Sequence, residues 1–252
     1  MCGRFTQKSE RRVISLEFYI QDFISDVLVS YNVAPGQDAG IIISDDKNRY
    51  IRYRWGLVPF WAKDPTIGNR MINARAETVT EKPSFKRAFS ARRCLVPADG
   101  FYEWKKEGTY KTPFYIHLTS KSPMSFAGLW ETWYQKDSKS GAPGEPQLKT
   151  GSVRPGQEKP GADDSSHPEP LHTFTIITTE ANEKLSELHD RMPVIIPPEK
   201  RELWLNREAD LGQVQELLVP LKSSEIEFYE VSRIVNSPKN NVPACIEPAA
   251  PD

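Results

Sequence analysis

Cysteine is scarce in this 252-residue chain: Cys2, Cys94 and Cys245 form no CxxC pair, and an odd count of three fits neither a disulfide framework nor a zinc site. A reducing compartment is expected. Long apolar runs are missing too. No stretch reaches the roughly 18 apolar residues of a membrane-spanning helix, and the N-terminus lacks the basic-then-apolar pattern of a secretory signal. The expected protein is cytoplasmic, with no membrane partner. Net charge is almost absent at −1, which would argue against a nucleic-acid partner if the charge were spread evenly.

The charge is not spread evenly. Between Arg49 and Arg93 there are 11 Lys/Arg against 3 Asp/Glu, a local excess of +8. Tyr50, Tyr53, Trp55, Phe60 and Trp61 are interleaved with these cations. Cations for phosphates and flat rings for bases are what single-strand binding needs, although a charge run also arises on any solvated strand face.

A hydrophobic content of 38% over this length supports one core, so a single domain over 1–252 is expected. Residues 8–20 space their apolar positions as a helix does, and 31–36 (YNVAPG) reads as a turn-rich connection. Strand-like runs occur at 40–44, 49–55, 94–97, 114–118, 125–130, 174–178 and 227–231, with helical patterns near 181–189, 198–206 and 211–218. In the run from 49 to 55, Ile51, Tyr53 and Trp55 alternate with Arg52 and Arg54, giving a strand with one basic face. This order predicts an α+β protein, not a regular βαβ alternation. The 36 residues from Gln135 to Pro170 hold 6 Pro and 5 Gly and too few aliphatics to offset the entropy of ordering. They read as a mobile surface insertion between two strands.

Cys2 carries the most distinctive chemistry. Removal of Met1 before this small residue would leave thiol and amine on adjacent carbons, with ordinary pKa values near 8.5 and 8. On those values a useful fraction of each is unprotonated at neutral pH. An aldehyde carbon can then be attacked twice, first by the amine to give a Schiff base and then by sulfur to close a five-membered thiazolidine. Position 2 alone is weak grounds, because many chains begin Met-Cys.

Segments 1–5 (MCGRF), 31–36 (YNVAPG), 54–59 (RWGLVP) with Trp61, 72–77 (INARAE), 97–104 (PADGFYEW), 188–193 (LHDRMP) and 231–241 (VSRIVNSPKNN) narrow the choice. In this order, over nearly the whole chain, they resemble the motifs of the SOS-response-associated peptidase (SRAP) family. The resemblance implies an α+β fold on a curved, mostly antiparallel, barrel-like sheet with flanking helices, and a basic groove for single-stranded DNA. It further implies Cys2 as nucleophile at the groove floor, with Asn73, Glu103 and His189 around it. Proton transfer at the amine falls to Glu103, opening of the sugar to its aldehyde to His189, and holding the amine or sugar to Asn73. Arg4, Arg75 and Arg191 are then the phosphate candidates, and Trp61 the stacking or wedge residue. Trp55 is assigned to the core. His117, His167 and His172 fall outside these motifs and receive no role.

The implied activity is covalent capture of abasic sites in single-stranded DNA by a monomer that is nucleoid-associated when bound and needs no metal or organic cofactor. Two alternatives stay open: a thiol-dependent autopeptidase, with Cys2, His189 and Glu103 as nucleophile, base and orienter, and a non-covalent binder of single-stranded DNA. Only Met1 precedes Cys2, so an ordinary aminopeptidase suffices to expose it.

Overall fold

The computed structural model describes residues 2–135 and 169–249; residues 136–168, nearly all of the expected insertion, lie outside the described residues. The chain opens with β1 (Phe5–Gln7), α1 (Arg11–Glu17), β2 (Asp22–Phe23) and β3 (Ser30–Val33). The longer β4 (Asp38–Ser44) and β5 (Asn48–Trp55) come next, then short β6 (Asn73–Arg75) and α2 (Lys86–Ala91). Five strands follow: β7 (Arg93–Ala98), β8 (Gly100–Glu107), β9 (Tyr110–Leu118), β10 (Met124–Trp133) and β11 (Leu171–Glu180). The last elements are α3 (Glu183–Ser186), β12 (Arg191–Pro193), α4 (Arg201–Leu205), α5 (Leu211–Gln215) and β13 (Ile226–Glu230). The class is α+β, as expected.

Two sheets share these strands. One is fully antiparallel, in the order β13-β9-β8-β1-β3. In the other, β11-β10-β7-β4-β5 closes on itself because β5 also pairs in parallel with β11 through Thr173↔Arg54 and Phe174↔Trp55. A five-strand barrel-like ring results, and closure removes the exposed edges that an open sheet would leave. The three consecutive isoleucines of β4 make sense in such a ring, since both of its faces are covered. Ile41 and Ile43 join Tyr53, Trp55, Val96, Phe126 and Phe174 in a core shared with Phe5, Phe101 and Ile116 of the antiparallel sheet. Ile42 faces the other way, with Tyr50, Leu95 and Leu129, under Ile14 of α1, Phe89 of α2 and Trp204 of α4.

Trp55 is a core residue, as its alternation with Arg54 predicts. Its ring stacks on Phe174 with centroids 6.4 Å apart and meets the Phe5 ring edge-on at 5.0 Å. Its indole N–H donates to the Ile72 carbonyl at 2.8 Å. The turn after β5 depends on Gly56, whose φ of +123° suits glycine and whose position would bring a Cβ to 2.7 Å from the Gly68 carbonyl oxygen.

Two local readings need correction. The helix expected over residues 8–20 is confined to Arg11–Glu17. Lys8 and Ser9 are instead held by the Asp99 carboxylate, which accepts from both backbone amides, and Tyr19 takes a left-handed φ of 51° that ends the helix. The segment 31–36 is only half a turn: Tyr31–Val33 belong to β3, where Val33 pairs with Phe5, and the turn is left to Ala34–Gly36. The basic face of β5 carries Arg52 and Arg54, with Arg54 exposed, while Arg49 lies on the opposite face, buried among the carboxylates of Asp22, Asp45 and Asp46. Strands β10 and β11 stay paired up to Trp133↔Leu171, so the chain leaves and re-enters the ring at neighbouring positions around 136–168. Among the described residues no helix is long and apolar enough to cross a membrane.

Candidate active site

Strand β1 sets the position of Cys2. It runs antiparallel to β8 with Phe5 opposite Phe101, and the Tyr102 amide donates to the Arg4 carbonyl at 3.0 Å. Continuing this register carries residues 2 and 3 alongside Glu103 and Trp104. Cys2 is 0% exposed and packs into the core shared by the two sheets. Burial pushes its thiol well above the ordinary range, the Glu103 charge pushes it further up, and the positive amino terminus and the Arg4 backbone amide pull it down. The net direction is upward. The expectation that part of this thiol is ionised without help therefore fails, because a thiolate without water around it loses its solvation. Sulfur is held at this site as a thiol.

Glu103 is buried as well, and burial raises its carboxyl to about 7; the amino terminus opposes the shift and Asp190 adds to it. Such a group can take or give a proton near neutral pH. His189 comes from the turn between α3 and β12, where its amide donates to the Leu185 carbonyl at 3.0 Å. Its Nδ1 accepts from the Arg191 backbone amide at 3.0 Å, which leaves the ring proton on Nε2. The Asp190 carboxylate also lies 2.7 Å from Nδ1 but is largely exposed, so it pairs with that nitrogen only once the ring is charged. Burial and the positive amino terminus lower the His189 pKa, with Asp190 working the other way. Neutral imidazole is the form at neutral pH.

Glu103 and His189 line one cavity of about 380 Å³, together with Trp104, Lys111 and Asn236. Asn73 does not line it. It sits on β6, which runs parallel to β11 with Asn73 opposite Ile176, and Ile176 packs in the same core as Cys2. Its Nδ2 reaches the Ile176 carbonyl at only 3.5 Å, and its buried Oδ1 has no hydrogen-bond partner among the described residues. A buried acceptor without a donor costs about 1–3 kcal/mol and is a usual mark of a group kept for a ligand.

The residues expected at the DNA fall into two groups. Trp61 is 41% exposed, and Arg75 is exposed without an ion pair among the described residues. Arg4 and Arg191 are committed inside the protein. The Arg4 guanidinium donates to Asn32 Oδ1 at 2.7 Å and to the Val235 carbonyl at 2.9 Å, and lies 5.7 Å from the Trp104 ring centroid. Arg191 forms a two-pronged pair with Glu77 at 2.7 and 3.0 Å and donates to the Thr178 carbonyl at 2.6 Å. The basic run from 49 to 93 is depleted in the same way. Arg93 donates to the Phe89, Trp204 and Asn206 carbonyls, and Arg92 pairs with buried Glu131.

The sequence profile described as SOS response associated peptidase (SRAP) matches residues 1–238. The chain belongs to this family. It is 43% identical over 252 residues to the abasic site processing protein YoqW of Bacillus subtilis (strain 168), covering 98% of this chain and 99% of that protein. To the abasic site processing protein YedK of Escherichia coli (strain K12) it is 28% identical, covering 98% and 100%. A crystal structure of a protein from Bacteroides thetaiotaomicron is similar with a TM-score of 0.77 and 27% identity, covering 99% of this chain and 100% of that one.

In this SRAP protein, sequence reasoning passed over several residues of the cavity. Trp104 and Asn236 stand inside motif segments but offered no chemical reason for choice. Their link is tertiary: the Trp104 indole N–H donates to Asn236 Oδ1 at 2.8 Å. Asn32 was also missed. It is 1% exposed, accepts from Arg4, and donates toward the carbonyls of Val235, Ser237 and Asn240 at 3.2, 3.0 and 2.7 Å. One buried amide thus ties β1 and β3 to the segment that carries Asn236. Lys111 had no local signal at all.

Proposed function

We propose that this protein captures abasic sites in single-stranded DNA as a covalent thiazolidine on Cys2, after removal of Met1, and so shields them during the DNA damage response. The observation that carries the reading is the buried Cys2 beside a carboxyl that titrates near neutrality, next to a cavity also lined by a neutral imidazole. The family membership supports it, since the relatives bear the name abasic site processing protein.

The abasic sugar is mostly a closed hemiacetal. His189, in the protonated form that Asp190 supports, gives its Nε2 proton to the ring oxygen, and the anomeric hydroxyl returns a proton to the imidazole as the aldehyde is released. Glu103 takes a proton from the ammonium of Cys2, so that the free amine attacks the aldehyde carbon. Water leaves as the Schiff base forms. Sulfur then closes on the same carbon, its proton passing by way of Glu103 to the ring nitrogen. The sum is protein plus DNA less one water. Asn73, with an open acceptor, holds the amine or the opened sugar; Arg75 contacts phosphate and Trp61 stacks on a base. Arg4 and Arg191 reach phosphate only by sharing guanidinium groups already bonded to Asn32 and to Glu77.

The peptidase reading needs only sulfur, and it needs that sulfur ionised, which burial opposes. The test is incubation of the Met1-processed protein with single-stranded DNA bearing one abasic site, with duplex and undamaged controls, read by denaturing electrophoresis and mass spectrometry. A heat-stable adduct of the stated mass is expected, lost in Cys2→Ala and after acetylation of the amine. An adduct that survives acetylation, or tight binding with no adduct, would overturn the thiazolidine.

A further inference from the structure

The cavity has a wall that the proposed chemistry does not use. Trp104, Lys111 and Asn236 form it, in the same cavity as the working groups Glu103 and His189. Trp104 is a fixed surface, with its indole N–H held by Asn236 and the Arg4 guanidinium near its ring. Lys111 belongs to β9, and the β8–β9 register sets Trp104 opposite Pro113 and Lys106 opposite Lys111. Residues directly opposite in an antiparallel pair share a face, so Trp104, Lys106 and Lys111 lie on one side of the ribbon.

Beyond the cavity the ribbon runs on to a tight turn at Gly108, φ +61°. Residues 104–113 hold three Lys against one Glu. At the tip Tyr110 is 66% exposed, and the Arg233 guanidinium lies 5.9 Å from its ring centroid, which adds another cation beside the hairpin. Lys106, Lys111 and Arg233 are exposed and enter no ion pair among the described residues. The contrast with Arg49, Arg92 and Arg191, each neutralised by a carboxylate, is direct. Arg49 and Arg92 of the 49–93 run are internally compensated, whereas the uncompensated cations of the hairpin begin at the reaction cavity itself.

We propose that the β8–β9 hairpin is a phosphate-binding arm of the nucleic-acid interface, in which Lys106, Lys111 and Arg233 hold the backbone of the single strand leaving the cavity along the Trp104 wall. The proposal deepens the abasic-site reading and rests on it for the identity of the strand. A single strand bound through phosphates releases counterions, so removing one cation that pairs with a phosphate lowers the slope of log affinity against log salt by about 0.7.

The experiment measures anisotropy of a labelled single strand, undamaged and abasic, from low to physiological salt, for the wild type, Lys106→Gln/Lys111→Gln, and the single-lysine control Lys200→Gln next to α4. Both replaced lysines are exposed, so folding is not at stake. The double variant is expected to lose about 1.4 from the slope, with weaker binding to both strands. A double variant whose slope equals that of the wild type or of Lys200→Gln overturns the arm, even if adducts form normally. A reduced slope in a protein that forms no adduct supports the arm and overturns the thiazolidine chemistry instead.

Discussion

Glu103→Gln should make this protein more stable above neutral pH while it removes the proposed proton transfer. Burial raises the Glu103 carboxyl from 4.5 to about 7, so between those values the folded state binds a proton that the unfolded chain has released. Stability therefore falls as pH rises through this window. Below 4.5 both states hold the proton and there is no penalty; above about 7 the folded protein keeps a buried carboxylate at a cost of about 3 kcal/mol. Glutamine has nearly the same shape and no charge, so its cost does not change with pH. Urea denaturation of both proteins from about pH 5 to about pH 8.5 isolates this difference, because titrating groups remote from Glu103 act equally in the two. The variant's advantage should grow by about 2.5 kcal/mol across the range. A difference that stays flat with pH would refute the assignment of a near-neutral carboxyl, and the proton-transfer role with it. In the wild type the rate of adduct formation should rise through about pH 7 as Glu103 ionises, and Glu103→Gln should lack that limb.

Asp190→Asn should move the rising limb to lower pH, because Asp190 raises both the Glu103 and the His189 values; a pH–rate profile that does not move argues against this coupling. Asn32→Ala should destabilise the fold by about 2–4 kcal/mol in chemical denaturation, since it removes the acceptor of the half-buried Arg4 guanidinium and leaves the carbonyls of the 235–240 segment without their donor. Asn32→Asp should do no better, because a carboxylate turned toward those carbonyls cannot donate. Gly56→Ala should cost about 1–3 kcal/mol, from the positive φ and the 2.7 Å approach to the Gly68 carbonyl, and its denaturation midpoint should drop accordingly.

The alternation of Ile51, Tyr53 and Trp55 with arginines was enough to place β5 and to send Trp55 to the core, because a strand's period of two is a local property. The motif segments likewise identified Cys2, Glu103 and His189 as a group, and Glu103 and His189 do line one cavity. The distribution of basic residues was legible as composition, and only partly as a surface. Arg49, Arg92 and Arg93 face Asp22, Glu131 and the Trp204 carbonyl from other parts of the chain, and no count of charges along the sequence shows those pairings. Ring closure was equally hidden, since β5 and β11 meet in parallel from distant parts of the chain.

The sequence by itself determined which residue types are available for chemistry and which short segments become strands, since both depend on near neighbours. Only the tertiary structure decided their protonation and their partners. The Cys2 thiol is held neutral and Glu103 near its midpoint because packing removes water from both, and Lys111 and Asn236 reach the same cavity because separate strands and loops converge there. Desolvation and convergence are properties of the folded chain.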